Sequence, residues 1–328
     1  MLRMTRRSWM LAAGVLACTS TGVVQAQAQR YPTKPVRLVN PFAPGGPVDI
    51  VGRAIAQELN KTWGQSVIVD NRPGAGTTIG AGLVARATPD GYTLLVTSVS
   101  TAVSVSLYRN LPFDLSRDLV PVTILAQTPL VLAVNPSLPV NSVQELVALA
   151  RAKSGQVRYA SSGAGTISHL AMELFRSQAK IDALTHVPYK GGAPAVAAVT
   201  GGEAQALFDQ SIAIMPSARA GRLRALAVSS PKRFDAAPEL PTFAESGLPA
   251  FEVIVWTAIF APTGTPPAVI ATINGDINRL LQTQEVRERL GSLGMTPAGG
   301  TPTEVSAFVK REIARWAKVS NEAGVKLE

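Results

Sequence analysis

Val36-Arg-Leu-Val-Asn-Pro-Phe-Ala-Pro-Gly-Gly-Pro-Val-Asp-Ile-Val51 decides how this chain is read. It opens as a short β-branched run, Val36 to Asn40, and turns at Gly45-Gly46. It then enters an apolar repeat in which Val48, Val51, Ile55 and Leu59 recur at three- and four-residue spacing, one face of a helix. Strand, glycine-rich turn and helix form one unit, and the unit repeats. Ser66-Val-Ile-Val-Asp70 precedes a helix marked by Ile79, Leu83 and Val84, and Thr93-Leu-Leu-Val-Thr97 is a third strand. Strands alternating with helices of this length imply βαβ units and an α/β fold with a mostly parallel sheet.

Past the middle the pattern restarts. Pro129 to Val134 reads as a strand, and Asn141 or Ser142 can cap a helix carrying Val143, Leu146, Val147 and Leu149. Val157 to Tyr159 leads to a helix with Ile167, Leu170, Leu174 and Phe175 on one face. Thr185–Val187, Ala204–Phe208, Leu223–Val228 and the long apolar Phe251–Phe260 supply further strands. The tail reads as helices over Pro266–Leu281, Gln284–Leu293 and Pro302 to about Ser320, with no strand of its own. Such a tail must pack on the sheet of the first half, so the chain crosses twice between two α/β lobes, near 124–134 and 251–262. The expected organisation is a hinged clamshell, with residues 29–126 plus 256–328 as one lobe and 127–255 as the other.

Four of the strand-to-helix turns are glycine-rich: Pro41-Phe-Ala-Pro-Gly-Gly46, Pro73-Gly-Ala-Gly-Thr77, Ser161-Ser-Gly-Ala-Gly-Thr166 and Pro188-Tyr-Lys-Gly-Gly192. In open α/β sheets ligands bind beyond the carboxyl ends of the strands, where these turns lie. Glycine lets the backbone approach a ligand, and the next helix offers unpaired N–H groups at its positive end. An anion site results that needs no cationic side chain. The candidate ligand-binding residues are Phe42, Ala43, Gly45, Gly46, Asp49, Ser98, Ser162, Gly163, Gly165, Thr166, His169 and Asp209. Asp49 can interact with its own helix start and, compatibly with that, fix the loop or hold a bridging water. Ser98 follows the third strand and could donate a hydroxyl. His169, near a helix start, could donate to a ligand, whereas His186 reads as a core or surface residue. Asp209 could accept from a donor on the ligand or cap the helix beginning near Ser211.

Other chemistries find little support. Two histidines seventeen apart with no acidic cluster make no metal site, and no cofactor is expected. The Gly-x-Ser-x-Gly elbow, the phosphate loop and His-Glu-x-x-His are all lacking. Ser161 or Ser162 with His169 would be the nucleophile pair of an exported hydrolase, but no orienting carboxylate accompanies it. The net charge of +9 comes without a basic run interleaved with aromatics, so nucleic acid is not an expected partner. Aromatic residues are only 5%, which disfavours a site built on ring stacking.

The N-terminus is basic at Arg3, Arg6 and Arg7, then apolar from Ser8 to Ala17, then small at Val24-Gln-Ala26 or Ala26-Gln-Ala28. This order reads as a secretory leader over 1–28 and places the mature protein in the periplasm. Thr5-Arg-Arg-Ser-Trp-Met10 also resembles a twin-arginine signal. Cys18, the single cysteine, falls within the leader, so no disulfide or thiolate site is expected in the mature chain.

Set in order, these motifs resemble the Bug (Bordetella uptake gene) family, the solute-binding proteins of tripartite tricarboxylate transporters. Besides Pro41 to Asp49 they are Asn71-Arg-Pro-Gly-Ala-Gly76, Pro89-Asp-Gly-Tyr-Thr-Leu-Leu95, Leu111-Pro-Phe-Asp114, Gly163-Ala-Gly-Thr-Ile-Ser-His169, Val187-Pro-Tyr-Lys-Gly191, Leu223-Arg-Ala-Leu-Ala-Val228, Pro241-Thr-Phe-Ala-Glu-Ser-Gly247 and Ala261-Pro-Thr-Gly-Thr265. The resemblance implies a two-lobed type II periplasmic binding fold that closes on a small organic carboxylate. It implies that Phe42–Asp49 and Ser162–Thr166 hold one carboxylate through backbone amides and ordered waters. It also implies separately encoded large and small membrane subunits as partners, a monomeric receptor and no catalysis. A ligand sensor for a membrane signalling partner is the alternative. The Ser98 to Ser106 segment is less family-like, so the resemblance does not name the ligand.

Overall fold

The protein is described here from a computed structural model covering residues 31–108, 111 and 113–325. The leader expected over 1–28, with its twin-arginine stretch and Cys18, lies outside the described residues. Ten strands are present among them: β1 Val36–Asn40, β2 Val67–Asn71, β3 Thr93–Ser98, β4 Leu119–Val134, β5 Arg158–Ser161, β6 Thr185–Pro188, β7 Ala206–Gln210, β8 Arg224–Val228, β9 Ile254–Pro262 and β10 Thr296–Gly299. The helices are α1 Pro47–Trp63, α2 Thr78–Ala85, α3 Val99–Leu107, α4 Leu115–Asp118, α5 Val143–Ala152, α6 Ile167–Gln178, α7 Gly192–Thr200, α8 Ser211–Arg219, α9 Pro267–Leu280, α10 Gln284–Ser292 and α11 Pro302–Glu322. Among the described residues no helix is long and apolar enough to cross a membrane.

The strands follow the path β2-β1-β3-β9-β4-β7-β5-β6, with β8 and β10 also paired to β4. Pairing is parallel within the β2-β1-β3 group and within the β7-β5-β6 group. It is antiparallel wherever β4 or β9 takes part. The sheet is therefore mixed, not mostly parallel as the alternation suggested, because the two crossing strands reverse direction between the groups.

β4 carries the architecture. Its first eleven residues pair with β9, and Leu130–Val134 then pair with β7 and β8. The expected strand at Pro129–Val134 is only its second part. Pro121 and Pro129 punctuate the sequence, yet both are accommodated, with register shifts at Pro121/Thr123 and Ile124/Ala126. β10 corrects the expectation of a strandless tail: Thr296-Pro-Ala-Gly299 has no apolar alternation, and it is a strand only because β4 offers it an edge.

The register places the carboxyl ends of the two parallel groups. Ser98, at the end of β3, aligns with Thr257, which aligns with Ala126 of β4. Gln210, at the end of β7, aligns with Leu130. β3 runs with β4 and β7 runs against it, so the two ends point toward each other. Four residue steps along β4 separate them, about 13 Å at the usual strand rise.

The interior is apolar and nearly continuous. Phe175, Phe208, Phe243 and Phe251 pack as a ring cluster, with Phe243 and Phe251 centroids 4.2 Å apart. Trp256 of β9 and Trp316 of α11 are fully buried. Both indole N–H groups donate to Glu312 Oε2, at 3.3 and 3.1 Å, which satisfies two buried donors with one carboxylate.

Candidate functional site

Loop one is residues 41–46, between β1 and α1. Asn40 and Asn71 close β1 and β2 and stand side by side in register. Asp49, in the first turn of α1, is 2% exposed and takes four donors. They are Gly45 N at 2.9 Å, Arg53 Nε at 2.9 Å, Asn71 Nδ2 at 2.8 Å and Asn40 Nδ2 at 3.3 Å. The asparagines then bind the loop backbone: Asn40 Oδ1 accepts from Phe42 N, and Asn71 Nδ2 donates to Phe42 O. Burial alone would raise the Asp49 carboxyl. The guanidinium of Arg53, then the Gly45 amide, Asn71 and Asn40, outweigh it and hold the group at about 2. Asp49 thus anchors the loop from the first turn of its own helix. Asn40, Asn71 and Arg53 were not singled out from sequence. Their signal was faint: both strands end in Asn, and Arg53 lies one helical turn after Asp49.

Ala43, Pro44 and Gly45 form the exposed tip of loop one. Gly45 needs its φ of +81°, while Gly46, the N-cap of α1, has an ordinary φ of −76° and no side-chain cap. The Gly45 and Phe42 amides are spent on Asp49 and Asn40. Among the described residues, the amides of Ala43, Gly46, Val48 and Asp49 have no protein acceptor; the last two belong to the first helical turn.

Loop two is residues 162–166, between β5 and α6. Ser162 Oγ lies 2.8 Å from Ser168 Oγ and 3.2 Å from Thr166 Oγ1, and Thr166 Oγ1 donates to Gly163 O at 2.7 Å. Ser162 N donates to Ser168 Oγ at 2.9 Å. Gly163 and Gly165 adopt φ of +140° and +73°. Their amides, expected to face a ligand, donate instead to Ser161 Oγ at 3.2 Å and to His169 Nδ1 at 3.0 Å. The amides left without an acceptor, among the described residues, are those of Ala164, Ile167, Ser168 and His169. His169 is 6% exposed and serves the loop's own backbone. Ser162 and His169 share no hydrogen bond, and Ser161, which does meet His186 at 2.7 Å, is wholly buried. Among the described residues no histidine meets a reachable serine.

The remaining candidates flank these loops. Ser98 is buried and caps α3, accepting from Ser100 N at 3.3 Å. Asp209 is the next-to-last residue of β7, and its Oδ1 accepts from Gln210 N at 2.8 Å rather than capping α8 deeper in its first turn. Its Oδ2 is buried without a partner and lies so close to α7 that a Cβ on Gly192 would sit 2.5 Å from it. Burial pushes the Asp209 carboxyl up to about 6, with the Gln210 amide opposing. The Gly191 amide donates to Ser162 O at 3.1 Å, tying the start of α7 to loop two. Among the described residues no group of three or more histidine, cysteine, aspartate or glutamate side chains could hold a metal ion.

Residues 51–325 match the profile of the tripartite tricarboxylate transporter family receptor, TctC. The chain is 39% identical over 317 residues to protein BugT of Bordetella pertussis, covering 96% of this chain and 97% of that one. It superposes on the R. palustris Rpa4515 structure with adipate at a TM-score of 0.82 and 37% identity, over 90% of this chain and 99% of that one. MatC from Rhodopseudomonas palustris with bound malate gives a TM-score of 0.77 and 34% identity, over 88% and 99%.

Proposed function

This chain belongs to the tripartite tricarboxylate transporter receptor family, a family of periplasmic solute-binding proteins and not enzymes, and from that premise we propose that it captures a small organic carboxylate between loops one and two and delivers it to separately encoded large and small membrane subunits. The relatives Rpa4515 and MatC were solved with adipate and malate, so dicarboxylates are the first ligands to test. One observation carries the reading. Two helix starts, α1 and α6, each lack a side-chain cap and keep first-turn amides unpaired, on strand ends that the register of β4 turns toward each other. Unpaired amides with a helix dipole behind them suit an anion and nothing else so well.

The partner switch of β4 after Pro129, and the start of β9 at Ile254, support the division into a lobe of 29–126 plus 256–328 and a lobe of 127–255. Ligand contacts from both would favour the closed arrangement, and a free receptor would sample the open one. The leader read in 1–28 would deliver the mature chain, a monomer, to the periplasm.

Gly46→Val tests the clamp. Gly46 has an ordinary φ, and an added Cβ would meet only Ala43 O at 3.6 Å, so the loop tolerates a side chain there. Wild type should gain thermal stability with adipate or malate by mass action. The variant should melt normally and lose that gain. A variant that still responds at wild-type concentrations refutes the two-loop clamp.

A further inference from the structure

The sequence holds two histidines, and the fold brings both to loop two. His169 comes from the first turn of α6 and His186 from β6. Their rings stack with centroids 3.9 Å apart and 14° between planes, and Tyr159 of β5 continues the stack at 4.8 Å from His186. Stacking alone is packing. The ring nitrogens show more. His169 Nδ1 accepts the Gly165 amide at 3.0 Å. His186 Nε2 lies 2.7 Å from Ser161 Oγ, which accepts the Gly163 amide at 3.2 Å and reaches Gly163 O at 3.1 Å. All of these atoms are satisfied when His186 donates from Nε2 and the serine donates to Gly163 O. Each glycine of the loop, in a backbone conformation few other residues adopt, is therefore oriented through an imidazole.

We propose that His169 and His186 are positioning residues for loop two: as a neutral pair they hold the Gly163 and Gly165 peptides so that the Ala164, Ile167 and Ser168 amides stay turned to the carboxylate, and a proton taken up by His169 unlatches the loop. The inference rests on the binding function above. A proton on His169 Nδ1 would set donor against donor at Gly165 N. Two imidazolium rings at this stacking distance repel, so the pair takes its protons one at a time. The charged and titratable groups facing the pair are Tyr159 on β5 and Glu173 and Arg176 on α6. Glu173 is already claimed, accepting from Tyr159 OH at 2.7 Å and from Arg176 Nε at 2.8 Å. Burial accordingly prevails over Glu173 and lowers His169. Burial and then the neighbouring His169 hold His186 at about 4, again against Glu173. The loop is latched at neutral pH and opens in acid.

The test uses the protein carrying ¹⁵N-histidine, which gives two imidazoles to follow. Expected at neutral pH is His169 as the Nε2–H tautomer, with neither ring titrating near the ordinary value of about 6.5. An Nδ1–H tautomer, or His169 titrating as a free histidine does, overturns the proposal with or without ligand. Affinity for adipate and malate is then measured against pH. His169→Leu should weaken binding by about tenfold, one hydrogen bond's worth. His169→Asn, which keeps an acceptor near the Nδ1 position, should restore most of it and flatten the acid loss. Equal affinities in wild type and His169→Leu overturn the proposal, as does failure of His169→Asn to rescue a variant that melts normally. Should wild type bind neither acid, the dicarboxylate reading fails while the tautomer and titration still decide the role of the pair.

Discussion

Asp49→Asn should unfix loop one, and the structure sets the size of the effect. The carboxylate is held at about 2 against an ordinary 3.8, and its side chain is only 3% exposed. That difference corresponds to about 2–3 kcal/mol of native-state stabilisation of the ionised form. The amide adds a second loss. Oδ2 accepts from Gly45 N and Arg53 Nε, and Oδ1 from Asn71 Nδ2 and Asn40 Nδ2, so an NH2 on either side meets two donors. Turning the asparagines round does not help, because Asn40 Oδ1 serves Phe42 N and Asn71 Oδ1 serves Arg53. One buried unsatisfied donor costs about 1–3 kcal/mol, so the total should reach about 3–6 kcal/mol at pH 7. The folded-state value is depressed, so the charge-dependent part is present above pH 3.8 and lost as pH falls through about 2. Urea unfolding of both proteins from pH 7 to pH 2 reads this directly. The curves should draw closer in acid as the charge-dependent part is lost, leaving the amide's share, and the variant should also lose carboxylate binding at pH 7. A difference under about 1 kcal/mol at neutral pH, or one that stays constant down to pH 2, would refute the anchoring role.

Asp209 should behave oppositely. Its carboxyl is raised to about 6, so the native state is favoured below 3.8 and loses that advantage as pH rises through 6. Asp209→Asn should stabilise the protein at pH 7 by about 1–3 kcal/mol and leave it unchanged at pH 4, which thermal melts at the two values will check. A concurrent loss of carboxylate affinity would show that the unpartnered Oδ2 meets a donor in the loaded state. Gly80→Ala is a remote test of loop one. In α2, a Cβ at this position would lie 2.8 Å from Pro41 Cβ and 2.9 Å from Arg72 O, both near the root of the loop. Binding should weaken more than stability, by calorimetry against melting; the reverse order would show that the loop is indifferent to Pro41.

What the sequence made legible was local, and what it hid was pairing at a distance. A β-branched run, a glycine turn and a helical repeat lie within one stretch of chain, so β1, α1, β5 and α6 can be read directly, as can a cap for α5 at Asn141 or Ser142, of which Ser142 takes the role. β10 could not, since its residues acquire a partner only when β4 arrives from far upstream. Nor does α3 show itself, because Ser and Thr interleave its buried Val99, Val103 and Leu107. The site divides in the same way. Asp49 and the glycines announce themselves, whereas Asn71 reaches Asp49, and His186 reaches Ser161, only through strand register. Register also separates two solutions to one task. Loop one is pinned by a carboxylate and a guanidinium whose charges persist far into acid. Loop two is pinned by hydroxyls and imidazoles that need no charge. Above pH 4 an acid-driven release therefore cannot begin at the carboxylate that pins loop one, which leaves the imidazoles of loop two and the buried Asp209 as its starting points.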